Sequence, residues 1–400
     1  MKAAVSLPVF TVGGIKDPEL AERILADGKA DMVAMTRALI ADPEFANKVR
    51  EGRQAQVVHC IRGNQGCIGR VFKGLPISCT VNPAAGREGR LGSLIPSEQP
   101  ARWLVAGGGP AGMRAAVTLA RRGHSVTLVE RDERLGGQVK LILGTPGRDE
   151  FRWITRDLEA QLRATGVKVR LRTSATPELV RELQPDGVIV ATGALPTSTG
   201  FSMVNPLVER LPGAEQENVL SVWDVLLDTK PVGECVVVLD DDGSRYAAGV
   251  IEVLLDRGKR VEMISRWHAL FPGTLTTLDM PHVYGRLLAK GLEYRLNSWA
   301  SGVEGGSVSI FNLYTGVAET IDGVDTIVLA TGPRANDELY FALKGTVSNL
   351  HRIGDCVAPR KLDHAIYEGE LAGREWWGEE RYIYEGELER WDAASVGASA

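Results

Sequence analysis

The sequence has no long apolar run, no large excess of either charge and few cysteines, and each of these shortages argues against a class of protein. No apolar run reaches the ~18–20 residues that span a bilayer, so no membrane helix is predicted. Neither sign of charge dominates, because 46 basic and 51 acidic residues give a net charge of −5, and no basic stripe marks a nucleic-acid surface. Five cysteines are a poor set for disulfides, since their number is odd and three of them cluster. Pro8 also interrupts the signal-like start Met1–Leu7, so we expect a cytoplasmic protein with small-molecule or protein partners.

The length and the glycine content indicate a globular α/β protein. The chain has 400 residues, of which 44% are hydrophobic, which is enough for two or three domains of ~100–200 residues each. Its 45 glycines fall mostly in short clusters between apolar runs, which is typical of turns that let backbone approach a ligand. The last fifteen residues are small and acidic, and we expect them to fray.

The first fifty residues contain two strand-then-helix units. An apolar run at 9–14 precedes a predicted helix at 18–27, and a second run at 32–35 precedes a predicted helix at 42–51. Each run is short and apolar, as parallel strands buried on both faces tend to be. Two units cannot close a sheet or a barrel, so the segment is expected to dock onto something else or to end a barrel.

A glycine-rich turn follows the strand predicted at 103–106. Gly107-x-Gly109-x-x-Gly112 opens a helix, and the next strand ends in Glu130, 18 residues after Gly112. Gly107 permits the tight turn, Gly109 lets backbone amides reach a pyrophosphate, and Gly112 lets the helix pack closely. Glu130 is expected to accept hydrogen bonds from an unphosphorylated ribose. The pattern therefore predicts a site for FAD, NAD or ADP.

A second strand–turn–helix unit interrupts the first. It starts at the apolar run 235–239, turns at Asp240-Asp241-Asp242-Gly243-Ser244, and returns at 261–265. Three carboxylates at a helix N-terminus satisfy its dipole and repel a pyrophosphate, so no phosphate site is predicted there. Arg266 could meet a 2′-phosphate, although an arginine at this place is more often a solvated surface residue.

Four segments together resemble the FAD-binding set of flavoproteins with two dinucleotide-binding domains. They are 107–112, Leu135-Gly136-Gly137-Gln138, Ala191-Thr192-Gly193 and Ile353-Gly354-Asp355-Cys356. With its flanking segments, the chain is similar over residues 7–380 to the C-terminal part of the iron–sulfur flavoenzymes of the old yellow enzyme superfamily. These include 2,4-dienoyl-CoA reductase, trimethylamine dehydrogenase and N-methyl amine demethylases. The acidic turn at 240–242 resembles the dehydrogenases and demethylases more than the NADPH-dependent reductases.

The resemblance implies cofactors and the residues that hold them. In that family the aspartate near the C-terminus meets the ribityl chain of the flavin, which Asp355 would do here. The last two barrel strands of the family hold the FMN phosphate, a role that falls to Gly13, Gly14 and Arg37 if the missing barrel is supplied. The FAD (or ADP) set implied is Gly107, Gly109, Pro110, Ala111, Gly112, Glu130, Arg131, Gly137, Gln138, Ala191, Thr192, Gly193 and Asp355.

The family also carries an iron–sulfur cluster on a loop with four cysteines. This chain supplies Cys60, Cys67 and Cys79 as metal ligands, and Gly63 stands at the second ligand position. Several alternatives stay open: a four-iron, four-sulfur cluster with another fourth ligand, for which His59 is the nearest candidate; a three-iron cluster; loss of the cluster; zinc bound with His59; or three unrelated thiols.

The implied organisation has five parts and one leading function. The parts are a barrel remnant (1–57), a cysteine loop and linker (58–98), an FAD-binding domain in two segments (99–230 and 326–400) and an NAD(P)-domain-like insertion (231–325). The function is the electron-transfer half of a flavin-dependent dehydrogenase or demethylase acting on a small substrate, with catalytic residues unassigned. Alternatives are an NADPH-dependent 2,4-dienoyl-CoA or enoate reductase, and a non-catalytic nucleotide-binding subunit or truncated product. Expected partners are an electron-transfer protein, a complementing barrel chain or a second copy of the chain.

Overall fold

The computed structural model describes residues 2–375, and the segment expected to fray lies outside the described residues. In chain order the strands are β1 (Phe10–Val12), β2 (Met32–Ala34), β3 (Arg102–Ala106), β4 (Ser125–Val129), β5 (Lys168–Arg170), β6 (Gly187–Val190), β7 (Ala194–Pro196), β8 (Val219–Ser221), β9 (Cys235–Asp240), β10 (Arg260–Ser265), β11 (Glu293–Arg295), β12 (Ser298–Glu304), β13 (Ser307–Asn312), β14 (Ala318–Asp322), β15 (Thr326–Ala330), β16 (Pro333–Ala335) and β17 (Leu350–Arg352).

The α-helices are α1 (Pro18–Ala26), α2 (Arg37–Ala41), α3 (Phe45–Arg50), α4 (Ile68–Val71), α5 (Glu88–Leu91), α6 (Pro110–Arg121), α7 (Val139–Leu143), α8 (Arg152–Thr165), α9 (Pro177–Leu183), α10 (Val222–Leu226), α11 (Arg245–Asp256), α12 (Met280–Ala289), α13 (Glu338–Leu343) and α14 (Leu362–Gly373). The elements form two compact units. Among the described residues, the first unit takes 2–137, 150–192 and 337–375, and the second takes 138–149 and 193–336.

The first unit is built on a five-stranded parallel sheet. Its strand order is β17-β6-β3-β4-β5, so β3 lies in the middle with β6 and β4 as its neighbours. Every residue of β6, and all of β3 except Arg102, is buried. Such unbroken apolar runs are what a parallel strand covered on both faces requires. The carboxyl ends of β3, β4 and β6 therefore meet at one edge of the sheet.

Helices α6 and α14 pack closely in this unit because a glycine of α14 faces the start of α6. A Cβ atom at Gly369 would lie 2.4 Å from the carbonyl oxygen of Ala111. A buried carboxylate joins the same two helices: Glu370 accepts hydrogen bonds from Arg114 and Arg374, each at 2.7 Å. Burial by itself raises the pKa of Glu370, but the two guanidinium groups hold that pKa down to about 2.

The N-terminal segment of the first unit differs in two ways from its sequence prediction. β1 and β2 pair in parallel, yet their outer residues are exposed: Phe10 by 62%, Val12 by 67% and Met32 by 53%. The expectation of strands buried on both faces is therefore wrong within this chain, because only the central residues of the two strands, Thr11 and Val33, are half-buried. The helix predicted at 42–51 begins only at Phe45, and α2 precedes it, because proline at position 43 disfavours helical backbone in the residue before it.

The second unit has a five-stranded parallel sheet of order β11-β10-β9-β15-β8. Alternate residues of β9 enter two cores. Val236 and Val238 pack in the core that includes α11, whereas Val237 and Leu239 pack with buried residues of the antiparallel sheet β12-β13-β14. A short antiparallel pair, β7 and β16, completes the unit.

The predicted α/β fold with parallel sheets is confirmed. Between residues 2 and 375, every helix is too short or too polar to cross a bilayer.

Replacing Glu370 by glutamine tests the buried carboxylate. Because the change leaves Arg114 and Arg374 without their counter-charge, we expect it to lower the free energy of unfolding by ~3–5 kcal/mol. The measurement is urea denaturation followed by circular dichroism. The control is Glu159→Gln, which removes a half-buried partner of the exposed Arg163 and should cost under ~1 kcal/mol. Equal losses in the two variants would contradict this account.

Candidate functional site

The glycine-rich turn lies where β3 passes into α6, at the carboxyl edge of the parallel sheet. Gly107 has φ +114°, and a Cβ there would lie 2.3 Å from the carbonyl oxygen of Ala191. A Cβ at Gly112 would lie 2.0 Å from the carbonyl oxygen of Gly107. Both positions therefore admit only glycine, since any side chain would collide with backbone.

Gly109 is different, because the space beside it is open. A Cβ built there would meet no atom within 4 Å. Gly109 is the N-cap of α6, and no side chain caps this end of the helix. The first N–H groups of α6 thus border an open space, which is the arrangement that binds phosphate at helix N-termini.

Glu130 lies directly after β4 and is held against the glycine turn. Its carboxylate is buried, and it accepts the N–H of Gly108 at 2.7 Å and the N–H of Asp132 at 2.9 Å. Each carboxylate oxygen can accept a further hydrogen bond, so these contacts orient Glu130 without exhausting it. The geometry suits a ribose whose hydroxyl groups donate to the acid.

Other residues of the predicted FAD set fall into two groups. Ala191 is paired to β3 through its N–H, and a Cβ at Gly137 would lie 3.1 Å from Cα of Gly109, so both border the turn. Gln138 and Gly193 belong to the second unit. The remaining members lie in the first unit: Pro110 and Ala111 start α6, Arg131 is exposed after β4, and Thr192 follows Ala191.

Asp355 lies in a 3-10 turn before α14, close to the start of α6. A Cβ at the preceding Gly354 would lie 2.9 Å from Cβ of Ala111. Glu368, which the sequence analysis missed, accepts the N–H of Gly354 at 2.7 Å and pairs with Arg360. Burial raises the pKa of Glu368, and the Arg360 charge opposes that rise. The only sequence signal for this role was an acidic residue among the small and apolar residues of a helix.

The predicted FMN-phosphate residues contact the cysteine loop. Arg62 donates from Nη2 to the carbonyl oxygen of Gly14 at 2.7 Å. Arg37 donates from Nη1 to Oδ1 of Asn64 at 3.2 Å. Gly13 and Gly14 both have positive φ, and a Cβ at Gly13 would meet nothing within 4 Å. The structure thus brings Gly14 and Arg37 to one loop, which motif spacing alone did not indicate.

The three clustered cysteines are half-buried in the same unit. Gly66 accepts the N–H of Ser78 at 2.7 Å, and a Cβ at Gly66 would lie 3.0 Å from Cα of Cys79. Because Gly66 and Cys79 are in backbone contact, Cys67 and Cys79 lie on neighbouring segments of the cysteine loop. Burial raises the pKa of the Cys79 thiol to about 11, and charge on Cys60 and Cys67 adds to the rise.

His59 is held by two residues of α8. Its Nδ1 lies 3.0 and 3.1 Å from the two carboxylate oxygens of Asp157, and its ring stacks on Trp153 at 3.9 Å. Over residues 2–375, no group of three or more His, Cys, Asp or Glu side chains is arranged to hold a metal ion.

The aspartates of the acidic turn in the second unit accept hydrogen bonds from backbone N–H groups of the same turn. Asp240 is fully buried, accepts the N–H of Gly243 at 2.8 Å, and has its pKa raised to about 7 by burial. Asp241 pairs with Arg266, whose guanidinium lies 4.2 Å from the ring centre of Trp267. A Cβ at Gly243 would lie 2.4 Å from Nε1 of Trp267, so an indole ring occupies the space beside the turn.

Two families match the chain. The family described as "Pyridine nucleotide-disulphide oxidoreductase" matches residues 101–369, and "NADH:flavin oxidoreductase / NADH oxidase family" matches residues 1–56. A relative from Thermoanaerobacter brockii named "NADH oxidase" is 42% identical over 66% of this chain and 40% of its own length. "N,N-dimethylglycine/sarcosine dehydrogenase" of Chromohalobacter salexigens is 32% identical over 92% of this chain and 57% of its own.

A solved structure extends the comparison to the fold. The 6-hydroxypseudooxynicotine amine oxidase of Pseudomonas geniculata N1 superimposes with a TM-score of 0.88 and 31% identity, over 94% of this chain and 57% of that one. The chain thus spans about half the length of the relatives it matches. The resemblance to the C-terminal part of the old yellow enzyme superfamily flavoenzymes is confirmed, and the chain belongs to the pyridine nucleotide-disulphide oxidoreductase family.

Proposed function

We propose that this chain is the electron-transfer half of a flavin-dependent oxidoreductase that acts as a dehydrogenase or demethylase on a small substrate. The observation that carries the proposal is the glycine turn at 107–112, with open space at Gly109, an uncapped helix start and Glu130 fixed beside it. That geometry suits an adenine dinucleotide with a free ribose. Bound FAD would supply the redox chemistry.

The residues of the first unit have separate roles in this proposal. N–H groups at the start of α6 bind the pyrophosphate, and Glu130 accepts hydrogen bonds from the adenosine ribose. Asp355 accepts hydrogen bonds from the ribityl chain, and Glu368 holds the backbone of the turn that contains Asp355. ADP would make only the first two of these contacts, those of the pyrophosphate and the ribose. An absorption spectrum of the purified protein distinguishes bound FAD from bound ADP, since only FAD absorbs visible light.

The proposed organisation keeps five parts. A barrel end (1–57) carries Gly13, Gly14 and Arg37 for an FMN phosphate, and the exposed apolar residues of β1 and β2 support further barrel strands beside them. A cysteine loop (58–98) carries a cluster. The FAD domain (99–230 and 326–400) encloses an NAD(P)-domain-like insertion (231–325).

Electrons are proposed to leave through a partner protein rather than to enter from a nicotinamide. The acidic turn of the insertion, Asp240 to Asp242, supports this, because carboxylates disfavour a pyrophosphate there and the Trp267 ring lies beside Gly243. The relative named "NADH oxidase" points the other way, and the experiment below decides between them. The cysteines, which must stay reduced to bind iron, support a cytoplasmic location.

Replacing Gly109 by alanine tests the dinucleotide site. The backbone at Gly109 has φ −75° and open space beside it, so alanine should leave the fold intact. Its methyl group would intrude where the pyrophosphate lies, and we expect FAD affinity to fall at least ~10-fold, which is about 1.4 kcal/mol. The measurement is titration of the apoprotein with FAD. The control is Gly89→Ala, at an exposed glycine whose Cβ would also meet no atom within 4 Å. Unchanged FAD affinity in Gly109→Ala would contradict the proposed site.

Mixing the FAD-loaded chain with NADH or NADPH tests the second unit. We expect no flavin reduction within seconds under anaerobic conditions, because the acidic turn repels the pyrophosphate of the nicotinamide. Stopped-flow absorbance in the visible range follows the flavin. Dithionite, which needs no binding site, serves as the positive control. Rapid bleaching by either nicotinamide would instead favour the NADPH-dependent reductase alternative.

A further inference from the structure

The loop that carries Asp355, residues 354–360, lies between β17 and α14 and is closed by one side chain of α14. Glu368 accepts the N–H of Gly354 through Oε2 at 2.7 Å, and its Oε1 pairs with the guanidinium of Arg360. Gly354 and Arg360 are the two ends of this loop. A single carboxylate therefore holds both ends of the 354–360 loop together.

The contacts of Glu368 reach Asp355 from both sides. Gly354, whose N–H binds Glu368, is the residue directly before Asp355. On the other side, Oδ1 of Asp355 accepts the backbone N–H of Arg360 at 3.1 Å, and Nε of Arg360 donates to the carbonyl oxygen of Ala358 at 3.1 Å. Arg360 thus contacts Asp355 through its backbone and Glu368 through its side chain. Since Asp355 itself is only half-buried, these contacts orient its carboxylate without enclosing it.

The same loop is attached to the elements that border the glycine turn. The N–H of Ile353 donates to the carbonyl oxygen of Val190, the last residue of β6, at 2.9 Å, and the thiol of Cys356 donates to the same oxygen at 3.1 Å. A Cβ at Gly354 would lie 2.9 Å from Cβ of Ala111, in the first turn of α6. The loop is therefore fixed to the end of β6 and to the start of α6.

The ion pair between Glu368 and Arg360 is largely buried. Glu368 is 5% exposed, and the side chain of Arg360 is 19% exposed. Buried ion pairs add little net stability compared with apolar side chains of similar volume, and their best-attested use is to specify one arrangement of a chain. The arrangement that this pair specifies is that of the 354–360 loop, and hence the orientation of Asp355.

We propose that Glu368 and Arg360 are positioning residues that hold Asp355 for the ribityl chain of FAD, and that through Asp355 they make the site select FAD over ADP. The inference rests on the proposed function, because it takes the glycine turn to bind an adenine nucleotide. ADP has a pyrophosphate and an adenosine ribose but no ribityl chain, so its binding does not depend on Asp355. Loss of the pair therefore weakens FAD binding and leaves ADP binding unchanged.

Replacing Glu368 by glutamine tests the pair. Glutamine has nearly the same shape, but its one acceptor oxygen can serve Gly354 or Arg360 and not both, and its NH₂ group then faces a donor. Hydrogen bonds to charged groups are the stronger ones, so we expect the dissociation constant of FAD to rise at least ~10-fold and that of ADP to change less than about two-fold. The measurement is calorimetric titration of the apoprotein with FAD and, separately, with ADP.

A double-mutant cycle tests whether Glu368 acts through Asp355. Asp355→Ala removes the carboxylate itself and should also weaken FAD but not ADP. Adding Glu368→Gln to Asp355→Ala should cause no further loss of FAD affinity, because the effects of coupled residues do not add. The control is Glu252→Gln, at another buried glutamate that pairs with an arginine, Arg286, in the second unit. It should leave both affinities at the wild-type values.

Three results would overturn the inference while the proposed function stands. Equal losses of FAD and ADP affinity in Glu368→Gln would give Glu368 a structural role only. Additive losses in the cycle would show that Glu368 does not act through Asp355. Equal affinity of the wild-type chain for FAD and ADP would show that the 354–360 loop adds nothing to binding. If the wild-type chain binds neither FAD nor ADP, the proposed function itself is refuted.

Discussion

Close backbone contact at the start of α6 is the constraint on which the candidate site depends. Gly107 and Gly112 let the turn approach the carbonyl oxygens of Ala191 and of Gly107 itself, at distances that no side chain permits. The contact fixes β3, β6 and α6 relative to one another. It also leaves the uncapped helix end and the open space at Gly109 at the same edge of the sheet as Glu130, which directly follows β4. The first N–H groups of the helix border that open space, and no side chain caps them.

The second side of the site is positioned by packing between distant segments. Gly369 lets α14 lie against Ala111, and the buried Glu370 joins that helix to Arg114. The turn that carries Asp355 is consequently brought to the start of α6. Asp355 follows Ala111 by more than two hundred residues in sequence, and the two are brought together by the helix pair and by the pairing of β17 with β6.

The local parts of the site could be predicted and the long-range parts could not. The strand, glycine turn, helix and acid at 103–130 form a continuous pattern whose spacing reflects local backbone needs. The contacts of Arg62 with Gly14 and of His59 with Asp157 join residues 48 and 98 positions apart, and no periodicity reports such pairs. The helix predicted at 42–51 is too long at its start, because the proline at position 43 keeps Asp42 in extended backbone.

The sequence by itself determined the α/β class, the dinucleotide-type turn, the acidic turn of the second unit and the glycine at 63 in place of a family cysteine. Each of these is a pattern of residue types at short spacing along the chain. Only the tertiary structure decided which glycines are required. Gly66 lies against the backbone of Cys79, whereas Gly63 lies in ordinary contact with Ile61 and Phe151, although the two are three residues apart. It also decided that His59 contacts Asp157, since burial next to a carboxylate of α8 is a property of the folded chain alone.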